Sequence, residues 1–166
     1  MELFRLMGGL FIIVCGTLIG VYASNNIKTR AELMEQYLIF LNRTHASISY
    51  TGTGIKELLK SESTLPLIRP LLRQAHKEML RGSSIECAWR KATDENIPCG
   101  DDRKLIYGFG DNFGTGNIEG ELCKLELHIR LVEKRLEDIR SELKTRQRLY
   151  RIVGMSGGIM TAVVLI

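Results

Sequence analysis

The stretch "LCKLELHIRLVEKRLEDIRSEL", residues 122–143, decides the fold class because its apolar residues alternate at spacings of three and four. This is the heptad spacing of an amphipathic helix. Opposite charges four residues apart, such as Glu126 and Arg130, are typical of a solvated helix face. The apolar positions are Leu122, Leu125, Ile129, Val132, Leu136, Ile139 and Leu143. The sequence predicts a long heptad helix, packed on the chain's own shorter helices or self-associated as a coiled coil.

Shorter helical segments precede this stretch. Residues 29–50 have one apolar stripe, and "TGTG" at 51–54 is expected to end that helix. The stripe consists of Leu33, Tyr37, Leu41 and Ile48, with Thr44 as its polar member. A short amphipathic piece is expected at 55–60. No alternating β-branched run is long enough for a sheet, so the predicted class is all-α.

Helix boundaries in the middle of the chain follow from proline, glycine and capping residues. Pro70 is expected near the start of a helix that Gly82 ends. Ser83 and Glu86 stand at capping-box spacing before the next helix, whose buried face Trp89 is expected to anchor. Asp101 or Asp102 is expected to cap the helix after that.

Two stretches without charged side chains lie near the ends of the chain, 18 residues at 6–23 and 15 residues at 152–166. The first is roughly 27 Å long as a helix, close to the thickness of a thin bilayer core. We therefore expect transmembrane helices at 1–23 and 149–166, flanking a helical domain at 24–148. The alternative for the first stretch is a signal peptide cleaved after Ala23.

Basic residues lie on the inner side of both stretches. Lys28 and Arg30 follow the first, and residues 140–151 hold five Lys or Arg against one Glu before the second. By the positive-inside rule, residues 24–148 are expected in the cytoplasm. Glycines at helix-packing spacing predict close helix contacts within the membrane. These are Gly9, Gly16, Gly20, Gly154 and Gly158.

The segment "GFGDNFGTGNIEGE", residues 108–121, contains five glycines in fourteen positions. It lacks the Lys and hydroxyl of a Walker loop, and the carboxylates of Asp111, Glu119 and Glu121 would repel a phosphate. We therefore expect an interhelical turn in which Asn117, Glu119 and Glu121 lie at the start of the long helix, where the helix dipole favours acidic groups. The turn glycines are Gly114, Gly116 and Gly120.

Residues capable of catalysis or metal binding do not form a recognisable motif. The four cysteines show no CxxC spacing, and His45, His76 and His128 are isolated, which predicts surface or interface positions. The net charge of +4 is too small to indicate nucleic-acid binding. The sequence therefore predicts a protein that is not an enzyme and needs no cofactor.

The arrangement as a whole resembles stage III sporulation protein AB. The most specific segments are "FGTGNIEGELCKLELHI" at 113–129 and "LYRIVGMSGG" at 149–158. Where the family has Leu-Gly, Ser-Asp and Gly-Gln in the turn, this chain has Phe-Gly at 113–114, Gly-Asn at 116–117 and Gly-Glu at 120–121. Roles of the family's Asp and Gln side chains are therefore not transferred, whereas the turn itself is retained.

The resemblance implies a function. The family is similar to the cytoplasmic helical domain of the inner-membrane platform proteins of type II secretion and type IV pilus machines. It implies a place in the outer forespore membrane, with other stage III subunits and a secretion-type ATPase, stage III sporulation protein AA, as partners. Membrane lipid and a second copy of the chain are further expected contacts, and a membrane-bound signalling relay or coiled-coil adaptor is the alternative function.

An acidic turn can be reached by a basic partner, so the turn is the expected contact site. The candidate contact residues are Asp111, Asn112, Asn117, Glu119 and Glu121.

Overall fold

A computed structural model describes the backbone of residues 2–51, 64–98, 100–112 and 118–165. Side chains are described for residues 25–50, 64–98, 100–111, 118–146 and 148–149. Within these ranges the regular structure is entirely helical, which confirms the predicted all-α class. The helices are α1 (Glu2–Thr51), α2 (Arg69–Leu80), α3 (Ile85–Asn96), α4 (Asp101–Asn112) and α5 (Ile118–Leu165).

The chain divides into two compact units. One is formed by Glu32–Glu137 and contains α2, α3 and α4 together with the adjoining parts of α1 and α5. The other is formed by Met1–Ala31 and Asp138–Ile166, which are the outer parts of α1 and α5. Ile27, Ala31 and Ile139 are buried in this second unit.

Helix α1 contributes the centre of the Glu32–Glu137 unit. Tyr37, Leu41 and Thr44 of the predicted stripe are buried, and Met34 and Phe40 are fully buried beside them. The Thr44 hydroxyl donates to the carbonyl of Phe40 at 2.8 Å, so its burial leaves no unpaired donor. The helix is described as far as Thr51, so the predicted turn at 52–54 and the expected piece at 55–60 lie outside the described residues.

Helix α2 begins and ends as the sequence predicts. Pro70 lies in its first turn, where the missing amide hydrogen costs nothing. At its other end Gly82 has φ +92°, a conformation that favours glycine. Amides of Gly82 and Ser83 donate to the carbonyls of Met79 at 3.1 Å and Glu78 at 3.2 Å, the pair of bonds of a Schellman motif.

Two capping predictions need correction by one residue. Ser84, rather than Ser83, caps α3, because its extended backbone lets its hydroxyl accept the Cys87 amide at 3.3 Å. Helix α4 begins at Asp101, so Asp101 and Asp102 lie inside its first turn rather than before it. Acidic side chains are favourable in that turn because they oppose the positive end of the helix dipole.

The heptad stripe of α5 is buried by the chain's own helices over the region where it is described. Leu125, Val132 and Leu136 are almost completely buried, which favours intrachain packing over the coiled-coil alternative at these positions. Other positions differ: Leu122, Ile129 and Leu143 are only partly buried, and His128, which the heptad assignment left out, lies in the buried stripe. Positions 125, 128 and 132 also have a spacing of three and four, so the periodicity alone did not separate His128 from Ile129.

Within the described part of the chain, no helix is both long and apolar enough to cross a membrane. Side chains of residues 1–24 and 150–166, where the uncharged stretches lie, are outside the described set. The same holds for packing around the five glycines that are expected to mediate helix contacts in a membrane, Gly9, Gly16, Gly20, Gly154 and Gly158.

Candidate partner-binding site

The candidate site is built from the end of α4 and the start of α5. Glu119 and Glu121 lie in the first turn of α5, as predicted, and Asp111 lies in the last turn of α4. Gly120 also belongs to the first turn of α5, whereas the sequence placed it in the interhelical turn. Residues 113–117, with Gly114, Gly116 and Asn117, lie outside the described residues, and of Asn112 only the backbone is described.

The end of α4 is fixed by a close approach between Gly110 and Trp89 of α3. A Cβ atom at Gly110 would lie 2.8 Å from the Cβ atom of Trp89, a distance that side chains do not tolerate. The indole Nε1–H donates to the carbonyl of Ile106 at 2.8 Å, so the buried ring is anchored to α4 at two points. The prediction that Trp89 anchors the buried face of its helix is confirmed.

Aromatic rings from four helices pack against one another beneath the site. The Phe109 ring lies 4.7 Å from Trp89, 5.7 Å from Phe40 and 6.3 Å from the His128 ring, measured between centroids. Phe40 also stacks on Trp89 at 6.1 Å. Each aromatic pair contributes on the order of 1 kcal/mol beyond the burial of its area. The start of α5 therefore lies on a well-packed base.

Tyr37 and His128 form a buried hydrogen bond, with 2.9 Å between the phenol oxygen and Nε2. Burial raises the pKa of Tyr37 well above its ordinary value and lowers the pKa of His128 to about 4. Both groups are therefore neutral at pH 7, and the phenol donates to Nε2 when the imidazole proton is on Nδ1. The expected surface or interface position of His128 is wrong: the ring is part of the core.

Asp111 is held by Arg90 of α3 in a two-point ion pair, with nitrogen–oxygen distances of 3.0 and 3.1 Å. The hydrogen bond to Asp111 is the main cause that raises the pKa of Arg90 above its ordinary value. Two parallel bonds fix both side chains in orientation. Asp111 therefore has an internal partner, Arg90, and the pair links α3 to α4.

Further ion pairs connect the short helices. Glu78 of α2, which is buried, lies 3.1 Å from Nζ of Lys91 on α3 and 2.9 Å from Nη1 of Arg81. The hydrogen bond from Lys91 is the main cause that lowers the pKa of Glu78. Arg135 of α5 lies 2.8 Å from Asp102 of α4. These charged groups are engaged in holding helices together, and their positions are explained by that role.

The outer side of α5 carries an apolar stripe that the sequence analysis missed. Leu127 is 61% exposed and Leu131 is 47% exposed, although both are large apolar residues. Gly120 and the exposed Cys123 lie on the same side of the helix, because the four positions are separated by three, four and four residues. The sequence did contain a signal for this stripe, because Leu127 and Leu131 are four residues apart and lie outside the heptad positions.

Gly120 leaves a notch at one end of this outer stripe. Nothing lies within 4 Å of a Cβ atom built there, so no contact within the described structure requires a glycine at this position. Among the described residues, no group of three or more His, Cys, Asp or Glu side chains is arranged to hold a metal ion. The surface chemistry of the site is thus that of a helix face with apolar and acidic residues.

Comparison with known proteins gives a match over nearly the whole chain. The family model for stage III sporulation protein AB matches residues 5–166. The chain belongs to the stage III sporulation protein AB family. No curated protein and no solved structure matches it significantly.

The segments that carry the resemblance can be placed in this stage III sporulation AB protein. Residues 118–129 form the first three turns of α5 and include Glu119, Glu121 and His128. Residues 149–158 belong to the later part of the same helix. Family membership associates the protein with stage III of sporulation.

Proposed function

We propose that this protein is a non-enzymatic platform subunit of a stage III sporulation complex. Its apolar ends hold it in the outer forespore membrane, and its central helices dock a secretion-type ATPase on the mother-cell side. Family membership supports the association with sporulation. The resemblance to secretion platform proteins supports an ATPase as the docking partner. The expected ATPase is stage III sporulation protein AA, and other stage III subunits are expected beside it.

The observation that carries the docking proposal is the outer stripe of α5, formed by Gly120, Cys123, Leu127 and Leu131. The opposite side of this helix is fixed by Leu125, Val132 and Leu136 in the core, so the stripe is presented by a rigid element. A partner that covers two exposed leucines gains their remaining hydrophobic burial without having to order a flexible segment.

Acidic groups border this stripe. Glu119 and Glu126 are exposed on the same helix, and Glu121 is partly exposed. Charges at the rim of an interface mainly affect the association rate and the orientation of the partner. The proposed ATPase surface is therefore an apolar groove with basic residues at its edge. Asp111 contributes less to this surface, since Arg90 already binds its carboxylate.

A non-enzymatic role is supported by the use of the ionisable groups that are described. Tyr37 and His128 are buried against each other, and Glu78 is bound by Lys91 and Arg81. The pKa shifts of these groups have structural causes, burial for Tyr37 and His128 and the bond from Lys91 for Glu78, and such shifts occur commonly without catalysis. We therefore assign an assembly role to the scaffold of packed helices and aromatic rings, and no catalytic role to any single side chain.

Affinity purification from sporulating cells tests the docking face. The full chain with Leu127→Gln and Leu131→Gln is compared with a control in which Ile39→Gln and Leu80→Gln replace exposed apolar residues on α1 and α2. We expect the α5 variant to retain the ATPase about tenfold less well, because two apolar contacts are removed. The control should retain it as the wild type does.

Charge reversal provides a second arm of this experiment. Glu119→Lys with Glu121→Lys should weaken ATPase retention, and the weakening should diminish at high salt. Circular dichroism must show that all variants stay folded. Equal ATPase retention by the α5 variant, the charge-reversal variant and the wild type would refute the docking face. Reporter fusions at both termini test the membrane topology independently.

A further inference from the structure

We propose that one exposed face of α5, formed by Arg140, Lys144 and Arg148, binds the anionic headgroups of a phospholipid bilayer. Successive members of this basic face are four residues apart, and all three are exposed. Four residues advance a helix by about one turn and 40°, so the three side chains follow one side of the helix. The inference rests on the membrane attachment in the proposed function and adds the lipid class that the attachment site recognises.

The charge of α5 changes sign along this side. Glu137 and Glu133 occupy the same side about one and two turns before Arg140, and basic residues replace them from Arg140 onward. Glu142, the acidic residue within 140–151, lies 2.8 Å from Arg146 and is thus already paired. Among the described side chains, neither Lys144 nor Arg148 has an ion-pair partner. Lys144 and Arg148 therefore give this end of the basic face a local excess of positive charge.

Several features identify a bilayer, rather than another protein, as the partner of this face. The helix continues from Arg148 through residues 152–165, which belong to the uncharged stretch at 152–166. Leu149, next to Arg148, is 54% exposed, as expected for a residue that a lipid interface covers. Lys28 and Arg30 belong to the same compact unit and also follow an uncharged stretch, at 6–23.

Lysine and arginine suit this role because their long apolar stems lie along the lipid boundary while their charged ends reach the phosphates. Near an anionic membrane surface each contributes about a fivefold increase in affinity, and the effect decays within about 10 Å at 0.1 M salt. Removing two of the three charges should therefore lower the affinity for an anionic lipid by about 30-fold.

The test uses the full chain, purified in detergent and mixed with phosphatidylglycerol or phosphatidylcholine of the same acyl chains. Native mass spectrometry measures how much of each lipid stays bound. The variant carries Lys144→Gln and Arg148→Gln. Its matched control carries Arg73→Gln and Lys77→Gln, an exposed Arg and Lys four residues apart on α2. Both variants lose the same net charge.

We expect the wild type and the α2 control to bind phosphatidylglycerol in preference to phosphatidylcholine, and the α5 variant to lose about 30-fold in that preference. Added salt should weaken binding of the wild type. Equal binding by the α5 variant and the wild type would overturn the proposal, as would an equal loss in the α2 control. Loss of a copurifying protein with unchanged lipid binding would instead assign the face to a protein partner and likewise overturn it.

Failure of the membrane anchor is measured separately. Alkaline carbonate extraction of cell membranes removes peripheral proteins and leaves integral ones. If the wild type is extracted while its purified form still prefers phosphatidylglycerol, the anchor in the proposed function fails and the basic face stands as a peripheral contact. If the wild type resists extraction but shows no lipid preference, the anchor stands and the basic face is refuted.

Discussion

Replacing Gly110 with alanine should destabilise the helical unit because α3 approaches α4 too closely at this point for a side chain. The new Cβ atom would lie 2.8 Å from Cβ of Trp89 and 2.9 Å from both Cγ and Cδ1. The indole ring has little freedom to move, because its Nε1–H is bonded to the Ile106 carbonyl and Phe40 and Phe109 lie against it. The strain must therefore be relieved by a shift of helix α3 or α4.

The magnitude follows from two opposing contributions. Overpacking a buried site costs about 1 to 3 kcal/mol, and a clash with three ring and Cβ atoms belongs at the upper end. Alanine in place of glycine in a helix returns about 1 kcal/mol. We therefore expect Gly110→Ala to lower the free energy of unfolding by about 2 kcal/mol.

Two other glycines serve as controls for the same substitution. At Gly120 nothing lies within 4 Å of the added Cβ, so Gly120→Ala should raise the free energy of unfolding by about 0.5 to 1 kcal/mol. At Gly108 the added Cβ would make an ordinary contact of 3.5 Å with Cε1 of His128. Gly108→Ala should therefore leave stability nearly unchanged or raise it slightly.

Urea unfolding of the full chain in one detergent measures all three variants. The chain has one tryptophan, Trp89, so its fluorescence reports directly on the contact under test. The reasoning would be refuted if Gly110→Ala were as stable as Gly120→Ala, or if the order of the two were reversed. A change in the slope of the unfolding free energy against urea concentration, with an unchanged midpoint, would also contradict the reasoning, because the clash acts on the folded state.

Two further predictions concern the core beneath the site. Burial lowers the pKa of His128 to about 4, so as the pH falls the unfolded chain takes up a proton near pH 6.5 before the folded chain does. The stability contributed by the neutral imidazole is therefore complete above about pH 6.5, and about 2 to 3 kcal/mol of it is lost between about pH 6.5 and 4. The urea concentration at the unfolding midpoint should fall across this range in the wild type and in the control His76→Gln. It should fall less in His128→Gln. Trp89→Phe removes the 2.8 Å hydrogen bond to Ile106 and leaves a space beside Phe109. Thermal unfolding should therefore show that the free energy of unfolding falls by about 2 to 3 kcal/mol. A decrease below about 0.5 kcal/mol would contradict the anchoring role of Trp89.

Local rules predicted most of the helix boundaries. Pro70 and Gly82 act within a few residues of themselves, and the structure has helix ends where these two signals place them. The capping assignment at Ser83 was off by one residue, since two adjacent serines offer the same hydroxyl and only the backbone conformation at Ser84 selects between them.

Contacts between distant residues were less predictable. The Tyr37–His128 hydrogen bond joins residues 91 positions apart, and no spacing rule relates them. His128 was assigned to the surface or an interface because it is isolated from any metal or catalytic spacing, whereas its position three residues after Leu125 and four before Val132 placed it on the buried stripe. The helix dipole correctly predicted Glu119 and Glu121 in the first turn of α5. The exposure of Leu127 was not predictable in this way, because it depends on which side of α5 faces the other helices.

The glycine-rich segment 108–121 shows how one composition signal can have two physical causes. Gly108 and Gly110 lie within α4 and about 200° apart around it, so they face different neighbours, His128 on α5 and Trp89 on α3. Phe109, between them, points toward Phe40 of α1. Helix α4 is thus approached from three sides within a single turn, which requires small residues on two sides and a large one on the third. A run of glycines therefore does not by itself indicate a loop, and the order small–large–small inside a helix is the pattern that would have indicated close packing.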